Sequence, residues 1–201
     1  MASHREEYLR MQSNPIITRG DKAFAINDFQ TAIVFYSEAL SIDRNNSDAL
    51  TKRGKSYLFT LQLEKAIIDF MISNTINKNY ENYAGIGEAY TLKKDYENAA
   101  ENFQLAINQI NLNTVTKNLS ELKAIYFYHL ANSNYELYKF DDAFSQVNEA
   151  IKIEPSLSFC YRLRGILHIV KKNNLKALED LKKAKALGDK EANFYIREFE
   201  L

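Results

Sequence analysis

Apolar and polar residues follow one another along this chain with the period of an α-helix. In segments such as FQTAIVFYSEALSI and FDDAFSQVNEAIKI, apolar side chains recur every three or four residues, which gives each segment one apolar face. The chain has only 6 Gly and 2 Pro, too few for a turn-rich β-sandwich. Short polar stretches separate the helical segments: AINDF, FTLQL, KKDY, LYKF and KKNNL. The pattern predicts a succession of helices joined by short turns.

The helical segments also repeat at a nearly fixed distance. In five segments a small residue is followed twelve positions later by an alanine, and the alanines are spaced by 34, 33, 44 and 34 residues. A bulky residue follows each alanine by four positions, and a small residue comes three positions later. Large and small residues at fixed offsets are typical of closely packed helices. The alanines are Ala32, Ala66, Ala99, Ala143 and Ala177, and the bulky residues are Tyr36, Phe70, Phe103, Val147 and Leu181.

This arrangement resembles the tetratricopeptide repeat family, whose pattern has Gly or Ala at position 8, Tyr at 11, Ala at 20, an aromatic residue at 24, Ala at 27 and Pro at 32. Tyr57 and Tyr90 match position 11, and Pro155 matches position 32. Position 7, leucine in the family, holds arginine three times, as Arg19, Arg53 and Arg164. The repeats fall at residues 13–46, 47–80, 80–113, 124–157 and 158–191. The resemblance implies an all-α, right-handed solenoid of stacked antiparallel helix pairs forming a single domain.

The segments outside the repeats predict additional helices at both ends. Ser3–Glu6 has the spacing of a capping box, which predicts a short helix over residues 4–12. Gly188 is a helix stop signal and Asp189 can cap a last helix over residues 189–200. Such helices cover the apolar face that a stack of repeats leaves bare at its end.

The 44-residue spacing between Ala99 and Ala143 leaves about ten extra residues near 111–123. Asn118–Glu121 again has capping-box spacing, so we expect a longer connection followed by a helix that starts early. This segment is either a hinge of the array or an insertion that the fold tolerates.

Residues that could carry catalysis or bind a metal are few and scattered. The chain has three histidines, His4, His129 and His168, and a single cysteine, Cys160. Cys160 and His168 share a predicted helix and lie about 12 Å apart along it, too far for a thiolate–imidazole pair. The sequence has no HExxH, CxxC, GxGxxG or GxxxxGK motif. We therefore predict a protein that is not an enzyme and needs no cofactor or metal.

Composition narrows the classes of partner. Lys+Arg and Asp+Glu both number 26, and a net charge of zero disfavours a nucleic-acid binder that works through phosphate attraction. No apolar run approaches the roughly 18 residues of a membrane span, and the segment MASHREEYLRMQ lacks the apolar core of a signal peptide. We therefore expect a cytoplasmic protein whose partner is another protein rather than nucleic acid or membrane; its oligomeric state is open.

The resemblance also implies where a partner binds, because the first helix of each repeat lines the concave face of such solenoids. Lys52 and Lys55 share one helix face, so we expect acidic partner residues there and an apolar anchor near Tyr128. For the apolar residues on this face, packing between helices is the alternative role. Carried onto this sequence, the partner-binding residues are Asp21, Phe24, Thr51, Lys52, Lys55, Phe59, Glu88, Tyr128, His129, Asn132, Tyr135 and Arg162.

Two further functions compete with that of an adaptor or scaffold. The first repeat is similar to the opening repeat of co-chaperones that hold an acidic chaperone tail in a two-carboxylate clamp of Lys, Arg and Asn side chains. The clamp positions hold Ile17, Asp21, Lys52, Glu81 and Gly85, and shifting the register by one or two repeats does not rebuild the clamp. A co-chaperone of this sequence would therefore engage its chaperone by another mode. The remaining alternative is a self-associating assembly subunit.

Overall fold

The computed structural model of the protein describes residues 4–110 and 117–199. These residues form eleven helices and no strand, which confirms the predicted all-α fold class. The helices are α1 His4–Ala25, α2 Phe29–Ile42, α3 Ser47–Phe59, α4 Leu63–Ile76, α5 Tyr80–Leu92, α6 Tyr96–Gln109, α7 Lys117–Glu136, α8 Phe140–Ile153, α9 Ser158–Val170, α10 Asn174–Ala186 and α11 Ala192–Phe199.

The helices belong to two compact units, Met1–Asp95 with α1 to α5 and Tyr96–Leu201 with α6 to α11. In the first unit each helix packs against the next one along the chain, from α1 to α5. The second unit follows the same rule from α6 to α11. Consecutive helices are therefore neighbours within each unit, as expected for stacked helix pairs. The expectation that the whole chain is a single domain stays a prediction.

The repeat positions form the core of both units. All five alanines at position 20 are fully buried, and so are the bulky residues at position 24. A glycine at position 8 lets the paired helices come close together, since a Cβ atom on Gly20 would lie 2.5 Å from Cε1 of Tyr36. The same atom on Gly54 would lie 2.8 Å from Cε1 of Phe70. The predicted pairing of small and large residues is confirmed.

The turn between the two helices of a repeat has the same backbone conformation in all five repeats. At position 15 the φ angle lies between 57° and 60°, in the left-handed region. The next residue donates its backbone N–H to the carbonyl five residues back, as Asp28 does to Ala23 at 2.9 Å. These left-handed residues are Asn27, Leu61, Lys94, Tyr138 and Lys172. Only Asn27 is of a residue type that favours this region, so the sequence did not predict the conformation.

The amino-terminal prediction needs one correction. Residues 4–12 are helical but do not form a separate helix, because α1 runs without interruption from His4 to Ala25. Pro15 lies inside α1 and removes one backbone donor, yet Ser13 and Ile17 on either side are buried and hold this part of the helix in place. The proposed cap, Ser3, lies outside the described residues.

The other two predicted helices are present with shifted starts: Asn118, the predicted cap, lies inside α7, and α11 begins at Ala192, three residues after the predicted start at residue 189. Helix α7 begins at Lys117, seven residues before its repeat, which confirms the early start; residues 111–116 lie outside the described residues. Gly188 has a φ of +95°, and Asp189 Oδ1 accepts the backbone N–H groups of Glu191 at 2.9 Å and Ala192 at 3.1 Å. Helix α11 then packs its buried face against α10 and covers the end of the last repeat.

The arginines at position 7, which depart from the family pattern, join neighbouring helices. Arg53 Nε and Nη2 donate to the two carboxylate oxygens of Asp69 at 2.7 and 2.9 Å, and Nη1 reaches Ser37 Oγ of the preceding repeat at 3.2 Å. In the last repeat Arg164 makes the same bidentate contact with Asp180, at 2.7 Å for both bonds. Arg164 Nη1 also donates to Asn148 Oδ1 of the preceding repeat at 2.8 Å, so each arginine ties three helices together.

We expect Asp69→Ala to lower the free energy of unfolding by about 3 kcal/mol, because it leaves a half-buried guanidinium without its carboxylate. Adding Arg53→Leu, the residue type that the family has at position 7, should recover most of that loss. Urea unfolding followed by circular dichroism measures both variants. Asp48→Ala, at a carboxylate whose side chain is 62% exposed, is the control with little effect. A double variant as unstable as Asp69→Ala alone would contradict this role of the pair.

Candidate functional site

The first unit carries a charged face built by α1, α3 and α5. Position 9 of three successive repeats places Asp21, Lys55 and Glu88 in a row, and Lys52 of α3 reaches across to α1. We call the six charged residues of this surface the charged face: Asp21, Asp48, Lys52, Lys55, Glu81 and Glu88.

Both lysines of the charged face are ion-paired within the chain. Lys52 Nζ lies 2.9 Å from Asp21 Oδ2 and 3.0 Å from Asp48 Oδ2, and Lys55 pairs with Glu81. Burial opposes the charge of Lys52, but its hydrogen bonds to the two aspartates prevail and raise its pKa above the ordinary value. The lysines therefore act as bridges between the first helices.

The charged face carries a formal charge of −2, since four carboxylates accompany two lysines. Asp48 and Glu88 are exposed and can contact a partner, and partial desolvation raises the pKa of the Glu88 carboxyl above its ordinary value. With both lysines ion-paired, this balance gives no support to the expectation of acidic partner residues near Lys52 and Lys55. The electrostatic complement of this surface is a segment that carries positive charge.

An aromatic corner of three phenylalanines adjoins the charged face. The rings of Phe29 and Phe59 are stacked with centroids 4.6 Å apart, and Phe24 meets them edge-on at 5.2 and 5.6 Å. Phe59 remains 59% exposed, which leaves one ring face open to a ligand. Next to it lies a cavity of about 220 Å³, lined by Asp21, Phe24, Ala25, Tyr36, Lys52 and Lys55.

Thr51, one of the sequence-predicted binding residues, is buried instead of facing a partner. Its hydroxyl donates to Asn82 Oδ1 at 2.7 Å and lies 3.0 Å from Ser73 Oγ. Asn82 in turn donates to Ser73 Oγ at 3.0 Å. This closed network joins α3, α4 and α5, so Thr51 supports the charged face from behind and offers no surface to a ligand.

In the second unit, the sequence-predicted residues of α7 take part in an aromatic cluster. His129 stacks on Phe103 with centroids 5.0 Å apart, and Tyr128 packs on Phe159 at 4.4 Å. Burial of the imidazole lowers the pKa of His129 to about 4, so this side chain is neutral at pH 7. Tyr128 and His129 are half-buried, so part of each ring is available to a ligand.

Among the remaining predicted binding residues, Arg162 forms ion pairs within its own chain. Its Nε lies 2.8 Å from Asp189 Oδ2 and its Nη1 lies 2.8 Å from Glu191 Oε2, which fixes the residues before α11. Tyr135 packs against Phe140 at 5.8 Å, and Asn132 lies one turn before it on α7. The structure thus places Tyr128 in contact with His129, with ring centroids 5.3 Å apart, and gives Arg162 a structural role that the sequence did not reveal.

Cys160 and His168 have side chains of types that can carry catalysis, but here both are surrounded by other side chains of the fold. Cys160 is fully buried, and burial raises the pKa of its thiol to about 12. His168 lies 3.8 Å from Asp180, which is already held by Arg164. Within residues 4–110 and 117–199, no group of His, Cys, Asp and Glu side chains could hold a metal ion. None of the described helices is long and apolar enough to cross a membrane.

Comparisons with known proteins agree with the repeat pattern. A family model described as tetratricopeptide repeat matches residues 80–109. The crystal structure of MamA is 26% identical with a TM-score of 0.73 and covers 87% of this chain and 96% of that one. The structure of YrrB, "a TPR protein with an unusual peptide-binding site", is 19% identical with a TM-score of 0.74 and covers 98% and 100%. These structures confirm the solenoid fold class.

Among curated proteins, Hsp70-Hsp90 organizing protein 1 of Glycine max is 28% identical over an alignment 176 residues long, which covers 73% of this chain and 30% of that protein. The chain spans less than a third of the length of the curated relatives it matches. The likeness to this relative therefore concerns a part of that protein and not the protein as a whole.

The buried imidazole of His129 predicts a pH-dependent stability. Its pKa is about 4 in the folded chain and 6.5 ordinarily, so below pH 6.5 the unfolded chain binds a proton that the folded chain does not. The stability that this histidine contributes is complete above pH 6.5 and is lost as the pH falls towards 4. In His129→Phe, which keeps a ring on Phe103, the melting temperature should fall less between about pH 7 and about pH 5 than in the wild type.

Thermal unfolding at both pH values measures this difference. His4→Gln, at an exposed histidine of α1, is the matched control and should follow the wild type. Equal pH dependence of His129→Phe and the wild type would show that His129 is not the group responsible.

Proposed function

Because the chain belongs to the tetratricopeptide repeat family, we propose that it is a non-catalytic adaptor or scaffold that holds a peptide or helix of another protein against the first helices of its repeats. Members of the family are protein-interaction modules, and the YrrB structure is described as having a peptide-binding site, which supports the general class. The cytoplasmic location that the sequence favours belongs to the same proposal.

The observation that carries this proposal is the charged face next to the aromatic corner in the first unit. An exposed ring of Phe59 and a cavity of about 220 Å³ offer a place for one apolar side chain. Asp48 and Glu88 offer carboxylates to basic side chains a few residues away along a bound segment. The partner that fits is therefore a basic segment with an aromatic or aliphatic anchor.

The second unit adds a candidate apolar contact of its own. Tyr128, His129 and Tyr135 lie along α7, and aromatic side chains bury much area with few rotamers to freeze. His129 is neutral at pH 7, so it contributes no charge that would repel a basic partner. We propose Tyr128 as the main anchor of this unit.

The co-chaperone alternative finds support in the likeness to the Glycine max organizing protein, whose name refers to Hsp70 and Hsp90. A two-carboxylate clamp does not fit the charged face, since Asp21 and Glu81 occupy positions where the clamp needs cations or amides. A chaperone bound here would have to present a basic or apolar segment instead of an acidic tail.

A peptide array that varies net charge around a fixed leucine or phenylalanine tests the preference. We expect the chain to retain peptides rich in Lys and Arg, and not peptides with acidic residues and a free α-carboxylate at their end. The best peptide should lose about tenfold in affinity, by fluorescence anisotropy, in Glu88→Lys and in Phe59→Ala.

Glu38→Lys is the matched control, because Glu38 is exposed on the second helix of the first repeat, away from the charged face. It should leave the affinity unchanged. Selection of acidic peptides at micromolar affinity, or equal loss in Glu38→Lys and Glu88→Lys, would contradict the assignment of the charged face.

A further inference from the structure

Helix α4 in the first unit exposes an apolar stripe on its outward side. Ile68, Met71, Ile72 and Ile76 are 54%, 55%, 43% and 43% exposed. Steps of three and four residues place these side chains on one face of the helix. We call these four residues the α4 stripe; four neighbouring exposed apolar side chains on a helix are typical of an interaction surface.

The other repeats show that the fold does not require this stripe. Its residues occupy positions 22, 25, 26 and 30 of the second repeat. At these positions each of the other four repeats has at least two polar or charged residues. Examples are Glu101, Gln104 and Gln109 on α6, and Glu179, Lys182 and Lys183 on α10. The apolar character of the second repeat is thus specific to this helix.

We propose that the α4 stripe is a self-association surface, at which two copies of this chain pair through antiparallel α4 helices about a two-fold axis at Ile72. The spacing of the stripe is symmetric, because Ile68 and Ile76 each lie four residues from Ile72. An antiparallel copy therefore brings Ile68 opposite Ile76 of the second copy, and Ile72 opposite itself. This self-complementarity favours a second copy over an unrelated helix.

The three isoleucines form a ridge with a step of four residues, and such ridges interlock when two helices cross at about −50°. Met71 lies beside the ridge, where its flexible side chain can fill the gaps of the contact. The antiparallel arrangement also brings the amino end of each helix dipole near the carboxyl end of the other.

The charged side chains around the α4 stripe are already bound within their own chain and do not oppose this contact. Lys65 Nζ lies 2.9 Å from Gln62 Oε1 and 5.4 Å from the centre of the Tyr57 ring. Glu64 pairs with Lys93 at 3.0 Å, and Asp69 is held by Arg53. Glu64 and Asp69 are therefore neutralised by their partners, whereas Lys65 keeps its positive charge beside the stripe.

The size of the surface sets the strength of the contact. Complete burial of these four half-exposed side chains removes roughly 400 Å² per copy and roughly 800 Å² in total, which is the size of a weak, transient protein contact. We therefore expect a reversible dimer with a dissociation constant on the order of 10 µM. The α4 stripe lies on a second helix, so dimer formation leaves the charged face of the first helices open and does not depend on the proposed peptide binding.

Sedimentation equilibrium of the full chain tests the proposal. Between about 1 and about 200 µM, the average mass should rise from 23.3 kDa towards twice that value. Ile72→Glu should remain a monomer throughout, because two carboxylates would meet at the axis. The pair Ile68→Lys with Ile76→Glu should still dimerise, because each lysine faces a glutamate of the second copy, and added salt should weaken this dimer.

Two controls separate the α4 stripe from general loss of apolar surface. Leu175→Glu removes a residue that is 80% exposed in the second unit and should leave dimer formation unchanged. Ile72→Cys should give a disulfide-linked dimer on mild oxidation, whereas Val34→Cys on α2 should not. Cys160 is buried and does not compete.

Far-UV circular dichroism melts verify that each variant is folded. A wild type that stays at 23.3 kDa over the whole concentration range would overturn the proposal. So would a dimer that Ile72→Glu leaves intact, or a monomeric chain whose α4 stripe binds an unrelated protein.

Discussion

The packing of the first unit depends on the Phe70 ring, which lies between two glycines. A Cβ atom on Gly54 of α3 would lie 2.8 Å from this ring, and one on Gly85 of α5 would lie 2.6 Å from it. Phe70 itself is fully buried, so it cannot move aside to make room. A single side chain of α4 thus sets the distance to both neighbouring first helices. Gly20 with Tyr36 and Gly165 with Leu181 use the same geometry in other repeats.

This constraint separates the parts of a repeat that are fixed from those that can vary. Positions 8, 20, 24 and 27 face inward and hold the helices together, which leaves the outer rows of both helices free to change. The first unit uses one row for the charged face, whose lysines bridge neighbouring first helices. It uses another row for the α4 stripe. The chain can therefore carry two different contact surfaces on one scaffold.

The repeat pattern predicted the fold because its positions are those whose side chains pack inward in every repeat. It could not predict features that depend on which side chains meet across repeats. The pairing of Lys52 with Asp21 spans 31 residues, and that of Arg162 with Asp189 spans 27 residues. A register locates such residues on a face but does not show whether they are free or bound to each other. Thr51 is another example. Its position belongs to the binding face in the family, but here its side chain is buried and hydrogen-bonded to Asn82.

The most direct test of this account is the effect of Gly54→Ala on urea unfolding, measured in the wild type and in a Phe70→Val background. In the wild type the added methyl group meets a ring that cannot move, so the free energy of unfolding should fall by about 1–3 kcal/mol. With valine at position 70 the ring is gone, as in the fourth repeat, which pairs Ala131 with Val147. There the same substitution should raise the free energy of unfolding by up to about 1 kcal/mol, because alanine is the better helix former. An effect of the same sign and size in both backgrounds would contradict the account.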